Sequence, residues 1–104
     1  MELHGADIIS VAPLTRANLD RIFRVAKALE PYASGEQQTD VLRGRILANL
    51  FFEASTRTRL SFHSAFMRLG GSVETTVGVQ FSSISKGETL ADTIRVIEGY
   101  SDLI

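Results

Sequence analysis

There is no cysteine anywhere in the 104 residues. That excludes a disulfide, a thiolate nucleophile and a cysteine-ligated zinc. An excess of either charge is also missing: 11 Lys and Arg stand against 12 Asp and Glu, a formal net charge of -1. A broad basic field that would hold DNA or RNA is therefore absent, which leaves room only for a local basic patch. No apolar run reaches the roughly 18 residues of a membrane-spanning helix. The N-terminus, Met1-Glu2-Leu3-His4-Gly5, lacks the basic region and apolar run of a secretory signal. Together these absences point to a cytoplasmic compartment.

What is present fits one soluble globular domain. Hydrophobic residues make up 44% and charged residues 22%, and the length suits one domain and not two. No internal repeat or low-complexity tract interrupts it.

A first helix is expected to begin near Thr15. With Thr15 as N-cap, Leu14 and Leu19 occupy the two positions of a hydrophobic staple. Leu19, Ile22, Phe23, Ala26 and Leu29 then follow at helical spacing and define one apolar face. Arg16, Asp20, Arg21, Arg24 and Lys27 fall mostly on the other faces, as a solvated surface. Pro31 is expected to end the helix, and Pro31 to Thr39 reads as a polar connection.

Arg45 to Phe52 is almost continuously apolar and has the length of a strand. Apolar residues of both parities suggest cover on both faces, as in a parallel sheet, although periodicity alone also allows a buried helix. A helix from about Thr56 to Leu69 is predicted next, with Leu60, Ala65, Phe66 and Leu69 inward and Gly70-Gly71 as its stop. Ser72 to Val77 can form a second strand, and Gly78 to Gly87 a polar loop. Glu88 to Tyr100 reads as a helix burying Leu90, Ala91, Ile94 and Ile97. Asp102-Leu103-Ile104 resembles the start of a third strand. Helix followed by βαβαβ is an α/β pattern, a parallel sheet with flanking helices and right-handed crossovers. Two strands and a stub would leave much apolar surface exposed, so a fragment of a larger protein is expected.

The chemistry gathers at Ser55-Thr56-Arg57-Thr58-Arg59. Ser55 follows an apolar strand and opens a helix, where Ser is a favoured N-cap. The first-turn N–H groups have no partner inside a helix, and the macrodipole makes that end positive. A phosphate can dock there among backbone donors and hydroxyls. Arginines at this end oppose the dipole at about 0.3–1 kcal/mol each, so a compensating anion is needed: a ligand, or an acidic side chain such as Glu53 or Glu74. Arg offers a planar two-donor fork to phosphate or carboxylate. Arg57 and Arg59 lie about 200° apart around a helix, so one is expected to face the ligand and the other to form an internal ion pair. The run is not a Walker A loop, because it has no GxxxxGK[ST]. Ser82, Ser83, Ser85 and Lys86 offer a second set of hydroxyls and an ammonium, which in isolation reads as an ordinary solvated loop. His4 and His63 stand alone, without a second ligand at metal spacing, and no Ser-His-Asp set can be assembled.

Phe51-Phe52-Glu53-Ala54-Ser55-Thr56-Arg57-Thr58-Arg59-Leu60-Ser61-Phe62, followed by Arg68-Leu69-Gly70-Gly71, resembles the carbamoyl-phosphate loop of the carbamoyltransferase family. Lys86-Gly87-Glu88-Thr89-Leu90-Ala91-Asp92-Thr93 is similar to its second signature. The two in this order are highly specific, and the resemblance covers nearly the whole chain. Glu53-Ala54 and the Lys-Gly-Glu-Thr form are similar to the aspartate branch; the ornithine branch usually differs at both places.

The resemblance implies an incomplete carbamoyl-phosphate-binding domain over residues 1–104, without the aspartate-binding domain. It implies transfer of a carbamoyl group from carbamoyl phosphate to L-aspartate, on the route to pyrimidines, with no metal and no organic cofactor. Ser55, Thr56, Arg57 and Thr58 would hold the phosphate, and Arg57 and Thr58 would polarise the carbonyl. Ser82 and Lys86 match residues that reach into a neighbouring subunit's active site, in a homotrimer with shared sites. A regulatory chain is a further partner that the family allows; nucleic acid and membrane are not expected partners. Arg59 matches a position with a structural role.

Three departures stand out. Ser85 occupies a position where the family often has a second lysine. His63 stands where Glu is common. The family's later arginine, its His-Pro-x-x-Gln segment and its aspartate-binding domain would lie beyond Ile104, so this chain alone is expected to be inactive. The alternatives are ornithine carbamoyl transfer, a non-catalytic anion-binding half-domain and, more remotely, nucleic-acid binding through Arg57, Arg59 and Arg68.

Overall fold

The computed structural model describes residues 1–77 and 87–104. In chain order the elements are α1 (Arg16–Ala28), α2 (Glu30–Ala33), β1 (Ile46–Phe51), α3 (Thr56–Arg68), β2 (Ser72–Val77) and α4 (Leu90–Glu98). The expected α/β architecture is present, with a parallel sheet and flanking helices.

Thr15 caps α1 as expected. Its hydroxyl accepts from the Asn18 N–H at 3.1 Å, and the Asn18 side-chain oxygen accepts from the Thr15 N–H at 3.0 Å. This reciprocal box satisfies two donors that a helix start would otherwise leave open. Leu14 and Leu19, the proposed staple, are both half-buried. Pro31 does more than end α1: it lies in the first turn of α2, where its missing N–H has no acceptor to lose and its φ already suits a helix. The apolar face expected on α1 is real in sequence but uncovered. Ile22 is 39% and Phe23 65% exposed, and no residue of α1 is buried.

β1 and β2 pair in parallel with Ile46 opposite Ser72 and Phe51 opposite Val77. Leu103 makes a parallel bridge to Leu47, so β1 has a neighbour on each edge. The third-strand start predicted at Asp102 is thus in place: Ala48 N–H donates to Leu103 C=O at 2.8 Å and Asp102 N–H to Ile46 C=O at 2.9 Å. Leu47, Ala48 and Asn49 are consecutive and all buried. Burial of both parities means both faces of β1 are covered, which the unbroken apolar run requires.

Phe66 is the buried residue of α3. Leu69 is half-buried, but Leu60 and Ala65, expected inward, are exposed. Only a narrow stripe of α3 rests on two strands, so residues at the margin of the helical face remain in water. α3 ends in a Schellman arrangement: Gly70 N–H donates to Met67 C=O at 2.9 Å and Gly71 N–H to Phe66 C=O at 3.1 Å, satisfying carbonyls the helix end leaves open. Gly70 has φ +93, and a Cβ there would lie 2.6 Å from Asp40 Cα.

α4 starts at an N-cap, Thr89, whose hydroxyl accepts from the Asp92 N–H at 3.1 Å. Its core contact is Thr93, which is buried, while Ile94 and Ile97 are half-buried. Leu90 and Ala91, expected inside, are exposed, again for want of a second layer over them. The predicted loop at Gly78 to Gly87 lies, except for Gly87, outside the described residues. Among the described residues no helix is long and apolar enough to cross a membrane.

Candidate anion site

The strand order places β2 on one edge of β1 and Leu103 on the other. The chain leaves β1 to one side through α3 and returns later on the opposite side. That makes the carboxyl end of β1 a switch point, where open parallel sheets form ligand crevices. Phe51 ends β1 and Thr56 begins α3, so Ser55 to Arg59 sit at that point.

Ser55 takes the N-cap position, with φ -140 and ψ 71, but its hydroxyl makes no cap hydrogen bond. The first helical bond of α3 is Arg59 N–H to Ser55 C=O at 2.9 Å. The N–H groups of Thr56, Arg57 and Thr58 precede it and have no acceptor among the described residues. Free first-turn N–H groups beside hydroxyls are the donor set by which a helix start can receive an anion. Ser55 is half-buried, while Thr56, Arg57 and Thr58 are exposed.

Among the described residues neither Arg57 nor Arg59 makes an ion pair. The ion pair expected for one of them, with Glu53 or Glu74 as a candidate partner, is therefore not formed there. Both guanidinium groups stay uncompensated on the positive end of a helix, with Arg57 exposed and Arg59 half-buried. α3 carries no acidic residue in its first turn. Positive charge thus accumulates with nothing among the described residues to balance it.

Ser82, Ser83, Ser85 and Lys86 fall outside the described residues. Gly87 to Thr93 of the second signature are described, and there Thr89 and Asp92 are engaged in starting α4. Asp92 also accepts from Arg95 at 2.8 Å. Their roles are local and structural. His63 is half-buried, and its Nδ1 is buried without a hydrogen-bond partner among the described residues. Among the described residues no three His, Asp or Glu side chains gather as a metal site. A cleft of about 580 Å³ between the N-terminal segment (Ile8, Ile9) and the end of the chain (Leu103, Ile104) lies away from the Ser55–Arg59 turn.

Sequence reasoning passed over Asn49. It is an amide in an otherwise apolar strand, only 5% exposed, and that isolation within the run was the available signal. Its Nδ2 donates to the Arg59 carbonyl at 3.0 Å, and its own carbonyl accepts from the Thr75 hydroxyl at 3.1 Å.

A sequence model described as "Aspartate/ornithine carbamoyltransferase, carbamoyl-P binding domain" matches residues 6–104. The chain belongs to the aspartate/ornithine carbamoyltransferase family. Within the family it is 57% identical over 104 residues to the aspartate carbamoyltransferase catalytic subunit of Dichelobacter nodosus, covering 100% of this chain and 30% of that one. It is 51% identical over 100 residues to the chloroplastic aspartate carbamoyltransferase of Arabidopsis thaliana, covering 95% of this chain and 26% of that one. Among solved structures, aspartate transcarbamoylase from Trypanosoma cruzi in complex with carbamoyl phosphate superposes with a TM-score of 0.83 at 45% identity, over 94% of this chain and 32% of that one. The chain thus spans about a third or less of the length of these family members.

Proposed function

We propose that this chain supplies the carbamoyl-phosphate part of an aspartate carbamoyltransferase active site. The observation that carries the reading is the start of α3. Three first-turn N–H groups without acceptors, the hydroxyls of Ser55, Thr56 and Thr58, and an Arg57 that makes no ion pair among the described residues follow one another just past the carboxyl end of β1. High identity to relatives named aspartate carbamoyltransferase supports the choice of acceptor.

In this reading Ser55, Thr56, Arg57 and Thr58 bind the phosphate. The amine of L-aspartate attacks the carbonyl carbon of carbamoyl phosphate. A C–N bond forms and the carbonyl π electrons move onto oxygen. Collapse of the tetrahedral intermediate breaks the bond to the phosphate oxygen, phosphate departs with that electron pair, and the amine releases a proton. The product is N-carbamoyl-L-aspartate, an early compound of pyrimidine synthesis. Arg57 and Thr58 stabilise the developing oxyanion and Arg57 the departing phosphate, as preorganised donors. Holding both substrates side by side supplies further acceleration. Ser82 and Lys86 act in the site of a neighbouring subunit within a cytoplasmic homotrimer, on which a regulatory chain can dock. The aspartate-binding portion is contributed by polypeptide that these residues do not include.

Titration of the chain with inorganic phosphate and with carbamoyl phosphate tests the reading, followed through the amide resonances of Thr56 to Arg59. Saturable shifts at those amides are expected with both ligands. Shifts scattered over the surface, or none, would remove the anion site. Assaying the native polypeptide from its source with L-aspartate and L-ornithine as acceptors then separates the two branches.

A further inference from the structure

We propose that Asn49 is a positioning residue that holds the first turn of α3 at its working distance from the sheet; the proposal rests on the anion-site reading above. Asn49 is buried at the centre of β1, where an amide is unfavourable unless it is hydrogen-bonded. Its partner is not a neighbour in the sheet. Nδ2 donates to the carbonyl of Arg59 at 3.0 Å, the residue that closes the first turn of α3. A carbonyl only accepts, so the amide NH2 must face it.

The first turn has little else to fix it. Ser55 provides no side-chain cap, and the one hydrogen bond that the connection from Phe51 to Thr56 gives that turn among the described residues is its own helical bond, Arg59 N–H to Ser55 C=O, which does not reach the sheet. The Ser61 hydroxyl bonds to Thr58 C=O, but that contact lies within the helix and cannot set its place on the sheet. Asn49 is therefore the side chain that ties the turn bearing Thr56, Arg57 and Thr58 to β1. The same residue is braced from the other side, because the Thr75 hydroxyl of β2 donates to its carbonyl at 3.1 Å. A strand held on both edges thus anchors the turn through one amide. An anion site built from backbone N–H groups depends on sub-ångström placement of that turn.

Three variants of the full chain decide the matter: Asn49→Leu, which keeps the volume and removes the donor; Asn49→Ser, which stays polar but is too short to reach; and Thr75→Val, which loses a hydrogen bond to the same strand residue without touching the tie to α3. Two quantities are read for each, the Kd for inorganic phosphate and the hydrogen-exchange rate of the Arg59 amide. The expected result is a Kd weakened about tenfold or more and faster Arg59 exchange in both Asn49 variants, with neither change in Thr75→Val. A wild-type Kd and unchanged exchange in the Asn49 variants would overturn the proposal. So would equal effects from Thr75→Val, or Asn49 variants that fail to fold, since the residue would then be part of the core alone. If the wild-type chain does not bind phosphate, the anion reading falls, and the exchange comparison still decides whether Asn49 positions the turn.

Discussion

Asp102 and Ile46 hold each other twice. The Ile46 N–H donates to Asp102 Oδ2 at 2.9 Å, and the Asp102 N–H donates to the Ile46 carbonyl at 2.9 Å. Arg45 adds a long contact to the other carboxylate oxygen at 3.4 Å. The first strand is thereby clamped at its entry by a residue 56 positions later. Asp102→Ala removes the acceptor for a strand-end N–H in a partly exposed setting and should cost about 1 kcal/mol. Asp102→Asn keeps an oxygen acceptor and should lose less. Urea midpoints of the two variants check this; equal midpoints with wild type would mean that water replaces the carboxylate.

A Cβ at Gly71 would overlap the ring of Phe66. Phe66 is the buried residue of α3. Gly71→Ala should destabilise by about 1–3 kcal/mol through overpacking. Gly71→Ala combined with Phe66→Leu should recover part of that loss relative to the sum of the single variants. Additive midpoints in thermal denaturation would show that the clash is relieved elsewhere.

Arg57 and Arg59 should behave differently although neither makes an ion pair among the described residues. Arg57 is exposed beside the free first-turn N–H groups, and losing a charged donor to phosphate corresponds to about 1.5–3 kcal/mol. Arg57→Ala should therefore weaken phosphate binding by about tenfold or more, and in a complete transferase should lower kcat by about a hundredfold or more. Arg59→Ala leaves intact the backbone carbonyl that Asn49 holds and should weaken binding less. Calorimetric titration of both variants measures the difference, and the reverse order would exchange their roles.

The cap of α1 is a reciprocal pair, so its members should not contribute independently. Thr15→Ala and Asn18→Ala should each cost about 1 kcal/mol. The double variant should cost clearly less than the sum. Helical ellipticity followed through thermal unfolding tests this, and strict additivity would separate the two hydrogen bonds.

Much of this was legible in the residues, for reasons that are local. The cap at Thr15, the stop at Gly70-Gly71 and the strand 72–77 depend on short-range backbone chemistry. The Ser-Thr-Arg-Thr-Arg run stood out as a candidate anion site because two arginines at a helix start demand an explanation, and the helix start expected there is present. Burial was less legible. Leu60, Ala65, Leu90 and Ala91 lie on apolar helical faces yet are exposed, because inwardness depends on how much sheet lies beneath a helix. The ion pair expected for one of Arg57 and Arg59, not formed among the described residues, had the same origin: sequence spacing does not fix where side chains such as Glu53 and Glu74 lie. Asn49 escaped notice because its partner is a backbone carbonyl ten residues away, and backbone acceptors carry no residue signature.

The position of β1 between two parallel neighbours also sets the order in which the chain can organise itself. One neighbour becomes available only after α3 has formed and crossed over; the other arrives with Asp102 and Leu103, more than fifty residues later. The helices can form from local contacts within microseconds, but the sheet must wait for two long loops to close, and such non-local pairing slows folding. Securing the central strand on both edges thus requires both of these non-local closures.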